Sequence, residues 1–111
     1  MKLTMTRGNT KQYDVAVTQG GTPFSLVDAQ LFFTAKTAPG AIEVFQKTIG
    51  SGITVTDELN GTAVLEIEPA DTNGLPSLTT SLYYDLEVER DGKVYTLVAG
   101  RLIVDPDITV R

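Results

Sequence analysis

Apolar and polar residues alternate with a period of two along most of this chain, and glycine, proline and asparagine interrupt the alternation at short intervals. In an extended strand successive side chains point to opposite faces, so this pattern describes strands with one face in a core and the other in water. Helical spacing is almost absent. The clearest run sets Leu82, Tyr84, Leu86 and Val88 against Tyr83, Asp85, Glu87 and Glu89, then turns at Asp91-Gly92 into Val94, Tyr95, Thr96, Leu97 and Val98. An Asp-Gly pair between two such runs predicts a hairpin, because both residues tolerate the positive φ that tight hairpin turns require.

The same rules divide the rest of the chain. Leu3 and Met5 open a strand, Arg7-Gly8-Asn9-Thr10 turns it, and Tyr13, Val15 and Val17 form a second strand able to pair with the first as a hairpin. Gln19-Gly20-Gly21-Thr22-Pro23 reads as a loop, since paired glycines accept positive φ and Pro23 cannot donate to a ladder. Ala29 to Lys36 is apolar on both parities and suits a central strand, with Phe33 or Phe32 in the core. Ile42 to Ile49 is a strand whose apolar residues change parity, which predicts a bulge. Asn60-Gly61 joins a short strand over Ile53 to Asp57 to one carrying Ala63, Leu65 and Ile67. Pro69 to Pro76 cannot be a strand; it reads as a crossover that allows one helical turn from Pro69, with Asp71 capping it. After Gly100, Arg101 to Val104 forms a last strand, which Asp105-Pro106-Asp107 stops.

About seven to nine short antiparallel strands with turns every 8 to 12 residues predict an all-β fold, a single immunoglobulin-like β-sandwich, with a small β-barrel as the alternative. At 111 residues there is room for one hydrophobic core. Residues 1–104 are expected to form that domain and 105–111 a C-terminal tail.

Composition narrows the chemistry. The sequence has no histidine and no cysteine, which removes imidazole acid–base catalysis, thiol nucleophiles, disulfides and Cys/His zinc sites together. Nine basic against fourteen acidic residues give a net charge of −5, so a phosphate-binding surface and a nucleic-acid partner are not expected. No run has the length of a membrane span, and the first ten residues lack the apolar centre of a signal peptide, so residence in the cytoplasm is expected.

Three groups of carboxylates were candidates for a site. Asp85, Glu87 and Glu89 share one strand face, but no loop carbonyls accompany them, and a solvated sheet face accounts for them. Asp71-Thr72-Asn73-Gly74 resembles the start of a calcium loop, yet an apolar residue stands where the later acidic ligand is needed. Asp105 and Asp107 could serve glycoside hydrolysis only across a cleft, which nothing in the sequence predicts. No serine has a partner base in a recognisable motif. The chain is therefore expected to be no enzyme and to need no cofactor or metal. Tyr83, Tyr84 and Tyr95 lie on the paired strands of one hairpin, so some of them face outward, where a tyrosine can anchor a protein contact.

The succession Leu3-Thr4-Met5-Thr6-Arg7-Gly8-Asn9-Thr10, Gly21-Thr22-Pro23, Phe33-Thr34-Ala35-Lys36, Pro69-Ala70-Asp71-Thr72, Leu82 to Val88, Asp91 to Leu97, and Gly100 to Asp107 with Thr109 and Arg111 resembles small virion proteins of tailed bacteriophages. Its plan is similar to the immunoglobulin-like amino-terminal module of phage baseplate upper proteins. The resemblance implies a structural subunit of a tail, baseplate, neck or capsid surface, made in the host cytoplasm and carried in the virion. Its partners would be other phage structural proteins and copies of itself, with no nucleic acid and no membrane. In such a role the contact residues are expected to be Ile108, Val110 and Arg111 of the tail, with Tyr83 and Tyr95, because projecting termini can add to a neighbour's open sheet edge. The alternative is a carbohydrate-binding module for a host cell-surface glycan, which would need a platform of exposed aromatics.

Overall fold

The computed structural model describes residues 2–109, and Val110 and Arg111, both expected contact residues, lie outside the described residues. Ten strands and one helical turn follow one another: β1 (Lys2–Thr6), β2 (Lys11–Ala16), β3 (Thr18–Gln19), β4 (Thr22–Pro23), β5 (Gln30–Lys36), β6 (Glu43–Ile49), β7 (Gly52–Asp57), β8 (Thr62–Ile67), α1 (Pro69–Thr72), β9 (Thr80–Arg90) and β10 (Lys93–Asp105). Eight of them form one sheet in the order β1-β10-β9-β5-β6-β7-β8-β2, and β3 pairs with β4 as a small separate ribbon. The all-β class expected from the alternation is what the chain adopts. The large sheet curls until its two edges nearly meet, so its halves face each other across a common core. At the seam the Tyr13 hydroxyl on β2 donates to the Thr4 carbonyl of β1 at 2.8 Å.

The ladder departs from the expected pairing in three places. β1 does not pair with β2 as a hairpin; it lies parallel to β10, with Leu3 opposite Leu102 and Met5 opposite Val104. β2 pairs instead with β8, Tyr13 opposite Leu65. Local alternation gives each strand its faces but not its distant partner, and here burial of Met5 and Val104 on one side of the sheet selects the non-local pairing. β6 and β7 are also parallel, through Thr48–Gly52 and Ile49–Ile53, so the sheet is mixed rather than antiparallel throughout. Gly100 does not end a strand: β10 runs through it, opposite Tyr84, and takes its irregularity at Leu97, where the register shifts between Thr96 and Val98.

The segment from Gln19 to Pro23, expected as a loop, instead turns at Gly20-Gly21 and gives Gln19, Thr22 and Pro23 to the β3–β4 ribbon; the following local expectations hold. Asp91 and Gly92 both have positive φ, 55° and 75°, at the β9–β10 turn, and Leu82, Tyr84, Leu86 and Val88 are all buried. Asn60-Gly61 joins β7 to β8. Phe33 is buried between Phe45, at 6.0 Å, and Tyr84, at 5.2 Å. The β5–β6 ladder shifts between Ala35 and Lys36, and the strand begins at Glu43, leaving Ile42 90% exposed. α1 starts at Pro69, and Asp71 completes a capping box by accepting the Glu68 backbone N–H at 2.7 Å.

Strand directions give the molecule two ends. The turn after β1, the loop between β5 and β6, the segment from Glu68 to Thr79 and the residues after Val104 gather at one end. The β3–β4 ribbon, the β7–β8 turn and the β9–β10 turn gather at the other.

Candidate interaction surface

At the first end a clasp organises the backbone. Arg7 Nε donates to Asp107 Oδ1 at 2.8 Å, while Arg7 Nη1 donates to the carbonyls of Asn73 and Leu75 at 3.1 and 3.0 Å. One guanidinium thus ties the β1 turn, the segment after α1 and the residues after β10, using its planar fork of donors. Beside it the Gly8 N–H donates to the buried Thr72 hydroxyl at 2.8 Å. Lys47, only 8% exposed although charged, points inward from β6 and pairs with Asp71 at 2.7 Å.

This clasp places the expected tail. Asp105 belongs to β10, its carbonyl accepting the Arg7 N–H at 2.8 Å, and Asp107 is held by Arg7. The Asp105 carboxylate faces the Thr79 hydroxyl at 3.5 Å and the Asp107 carboxylate the Arg7 guanidinium. Ile108 follows the clasp and is fully exposed. Leu78, 73% exposed, projects from the same end, because Thr79 bonds Asp105 there, and exposed Ile42 stands on the neighbouring β5–β6 loop.

The opposite end carries its own apolar group. Leu59 in the β7–β8 turn is 73% exposed, Val94 55% and Tyr95 40%. Tyr95 shares a sheet face with Val88, its cross-strand partner, and packs edge-on against Phe24 with ring centroids 6.4 Å apart. Arg90 covers the same Phe24 ring and donates to the Ser25 carbonyl.

Tyr83 lies elsewhere, on the outer face of the sheet, in a cross-strand row with Arg101 and Lys36. The Arg101 guanidinium sits 3.8 Å from the Tyr83 ring centroid and donates through Nε to Ser81 Oγ at 2.9 Å. A wide, shallow depression of about 760 Å³ runs across this face between Tyr83, Arg101, Asp85, Thr34 and Gln46. Asp85, Glu87 and Glu89 line one outward row of β9. Among the described residues no group of three or more histidine, aspartate or glutamate side chains is placed to hold a metal ion, and no helix is long and apolar enough to cross a membrane.

The structure therefore does not unite the expected contact residues. Tyr83 is on the outer face, Tyr95 on the opposite face at one end, and Ile108 at the other end. Leu78, Leu59, Ile42 and Val94 were missed. Leu59 and Leu78 sit within turn segments rather than in an alternating strand, and an apolar residue that no strand face can bury was the available signal. No family model and no curated protein matches this chain.

Proposed function

We propose that this chain is a non-enzymatic structural subunit of a tailed-phage virion, acting through multivalent protein–protein contacts with copies of itself and with other phage structural proteins. Its place would be the virion, after synthesis in the host cytoplasm. The observation that carries the reading is the presence of large exposed apolar side chains at both ends of one elongated unit: Ile42, Leu78 and Ile108 at one, Leu59, Val94 and Tyr95 at the other. The unit measures 41 × 28 × 22 Å. Two unlike apolar ends suit head-to-tail contacts, which generate rings or filaments when repeated, and weak contacts gain strength when a lattice engages several together. The resemblance to small tailed-phage virion proteins supports the same reading.

A carbohydrate-binding module has less support. Arg101 covers the Tyr83 ring, and Tyr95 leans on Phe24 on the other face, so the two tyrosines do not make one stacking platform.

The test is twofold. Sedimentation velocity over a concentration series should show self-association that Leu78→Lys or Ile108→Lys removes. Mass spectrometry should find the chain at stoichiometric level in purified particles. A protein that stays monomeric at high concentration and is absent from particles, or that binds defined glycans as a monomer on an array, overturns the proposal.

A further inference from the structure

At the seam of the curled sheet, between the first residues of β1, the bulge of β10 and the free side of β2, lies a cavity of about 300 Å³. Its walls are mostly apolar and include Tyr13, Val15, Phe33, Leu86, Val98 and Tyr84. Tyr84 is 4% exposed, and its hydroxyl is the one buried side-chain polar atom among the described residues without a hydrogen-bond partner. Native interiors leave few such groups unsatisfied, because a buried hydroxyl without a partner has lost its bond to water and gained none.

We propose that this seam cavity is a binding site for a small, neutral, mostly apolar molecule carrying one hydrogen-bonding oxygen, of the size of a phenol, with Tyr84 Oη as its polar anchor. The proposal is independent of the virion reading. Size supports it, since ligand pockets begin at about 300 Å³ and a cavity of half that volume accommodates benzene. Charge selects the class: among the described residues Asp14 is the sole charged residue of the lining and no cation lines it, so a carboxylate would enter without a counter-charge from them and lose its hydration. The neighbouring Tyr13 hydroxyl gives its proton to Thr4, which leaves Tyr84 as the hydroxyl whose proton is available to the ligand. Burial also holds the Tyr84 phenol protonated to higher pH than usual, keeping it a donor.

The test uses phenol, toluene and benzoate as probes in amide and methyl NMR titrations of the whole chain. Phenol should shift resonances of Val15, Leu86 and Val98 and show intermolecular NOEs from its ring to Tyr84. Benzoate should not bind there. Tyr84→Phe, which keeps the buried ring, should weaken phenol roughly threefold to tenfold, the effect of one lost hydrogen bond, and leave toluene unchanged. The proposal is overturned if phenol leaves the cavity resonances unmoved, if Tyr84→Phe does not alter its affinity, or if a crystal soaked in phenol holds only water against Tyr84 Oη. Should Tyr84→Phe fold poorly, the NOE from phenol to Tyr84 in the unsubstituted chain decides the matter.

Discussion

Arg7 and Asp107 form an ion pair with Nε 2.8 Å from Oδ1, although 100 residues separate them in the chain. Their side chains are 15% and 13% exposed, so the pair is largely withdrawn from water, and Arg7 also serves two backbone carbonyls. Removing Arg7 takes its guanidinium from the Asp107 carboxylate and a donor from both carbonyls. Arg7→Ala should cost about 2–3 kcal/mol, within the range for hydrogen bonds to charged groups, and Asp107→Asn less, because the amide oxygen still accepts. Urea unfolding at equal m-values measures both.

Lys47 and Asp71 give a different forecast. Removing one member of a buried pair leaves an unpaired charge, whereas replacing both by apolar groups can be close to neutral. Asp71→Ala also removes the acceptor for the Glu68 N–H, so it should be the worse single change, about 3 kcal/mol or more. Lys47→Met should be milder. The double variant Lys47→Met, Asp71→Ala should be more stable than the sum of the singles, and a double-mutant cycle reads that coupling directly.

Two glycines with similar backbone angles should respond unequally to alanine. Gly61 has φ +69°, and an added Cβ would stand 2.3 Å from the Phe24 carbonyl oxygen. Gly92 has φ +75°, with nothing within 4 Å of such an atom. Gly92→Ala should cost only the left-handed penalty, about 1–2 kcal/mol. Gly61→Ala should cost clearly more, since the β3–β4 segment must move, and thermal unfolding of the two variants side by side tests the order.

Alkaline pH should weaken the fold through two phenols. Burial pushes Tyr13 above its ordinary value near 10.0, with the Tyr84 charge adding to the shift, and burial raises Tyr84 as well. The native state therefore keeps these protons longer than the unfolded chain. The stability they contribute is complete below about pH 10 and is lost as pH rises through the raised folded values. Absorbance titration should show a late-ionising phenol component that Tyr84→Phe diminishes, and the same change should flatten the alkaline fall in stability.

What was legible in the sequence was local. Asp91-Gly92 turns with both residues at positive φ, Asn60-Gly61 with Gly61 alone at positive φ, and the alternation from Leu82 to Val88 names the buried face of β9. Partnership between distant strands was not legible: Leu3 and Met5 alternate equally well whether their neighbour is β2 or β10, and only the assembled core distinguishes the two. Lys47 was hidden for a related reason. A lysine inside a strand is ordinarily read as outward, and its inward turn depends on Asp71, a residue of another element. Ile42, Leu59 and Leu78 escaped because they lie outside the strands, where alternation carries no information, and Val94 because it sits on the outward face of β10 opposite Glu89.

The parallel pairing of β1 with β10 also has a meaning for synthesis. β1 leaves the ribosome long before residues 101–105 exist to receive it, so Leu3 and Met5 must wait through translation of all the strands between. Topologies dominated by such distant pairings fold slowly and leave strand edges open meanwhile. A stalled or clipped nascent chain lacking residues 101–105 would present β1 as an unpaired strand with Leu3 and Met5 uncovered, the form a chaperone must shield before it finds another copy.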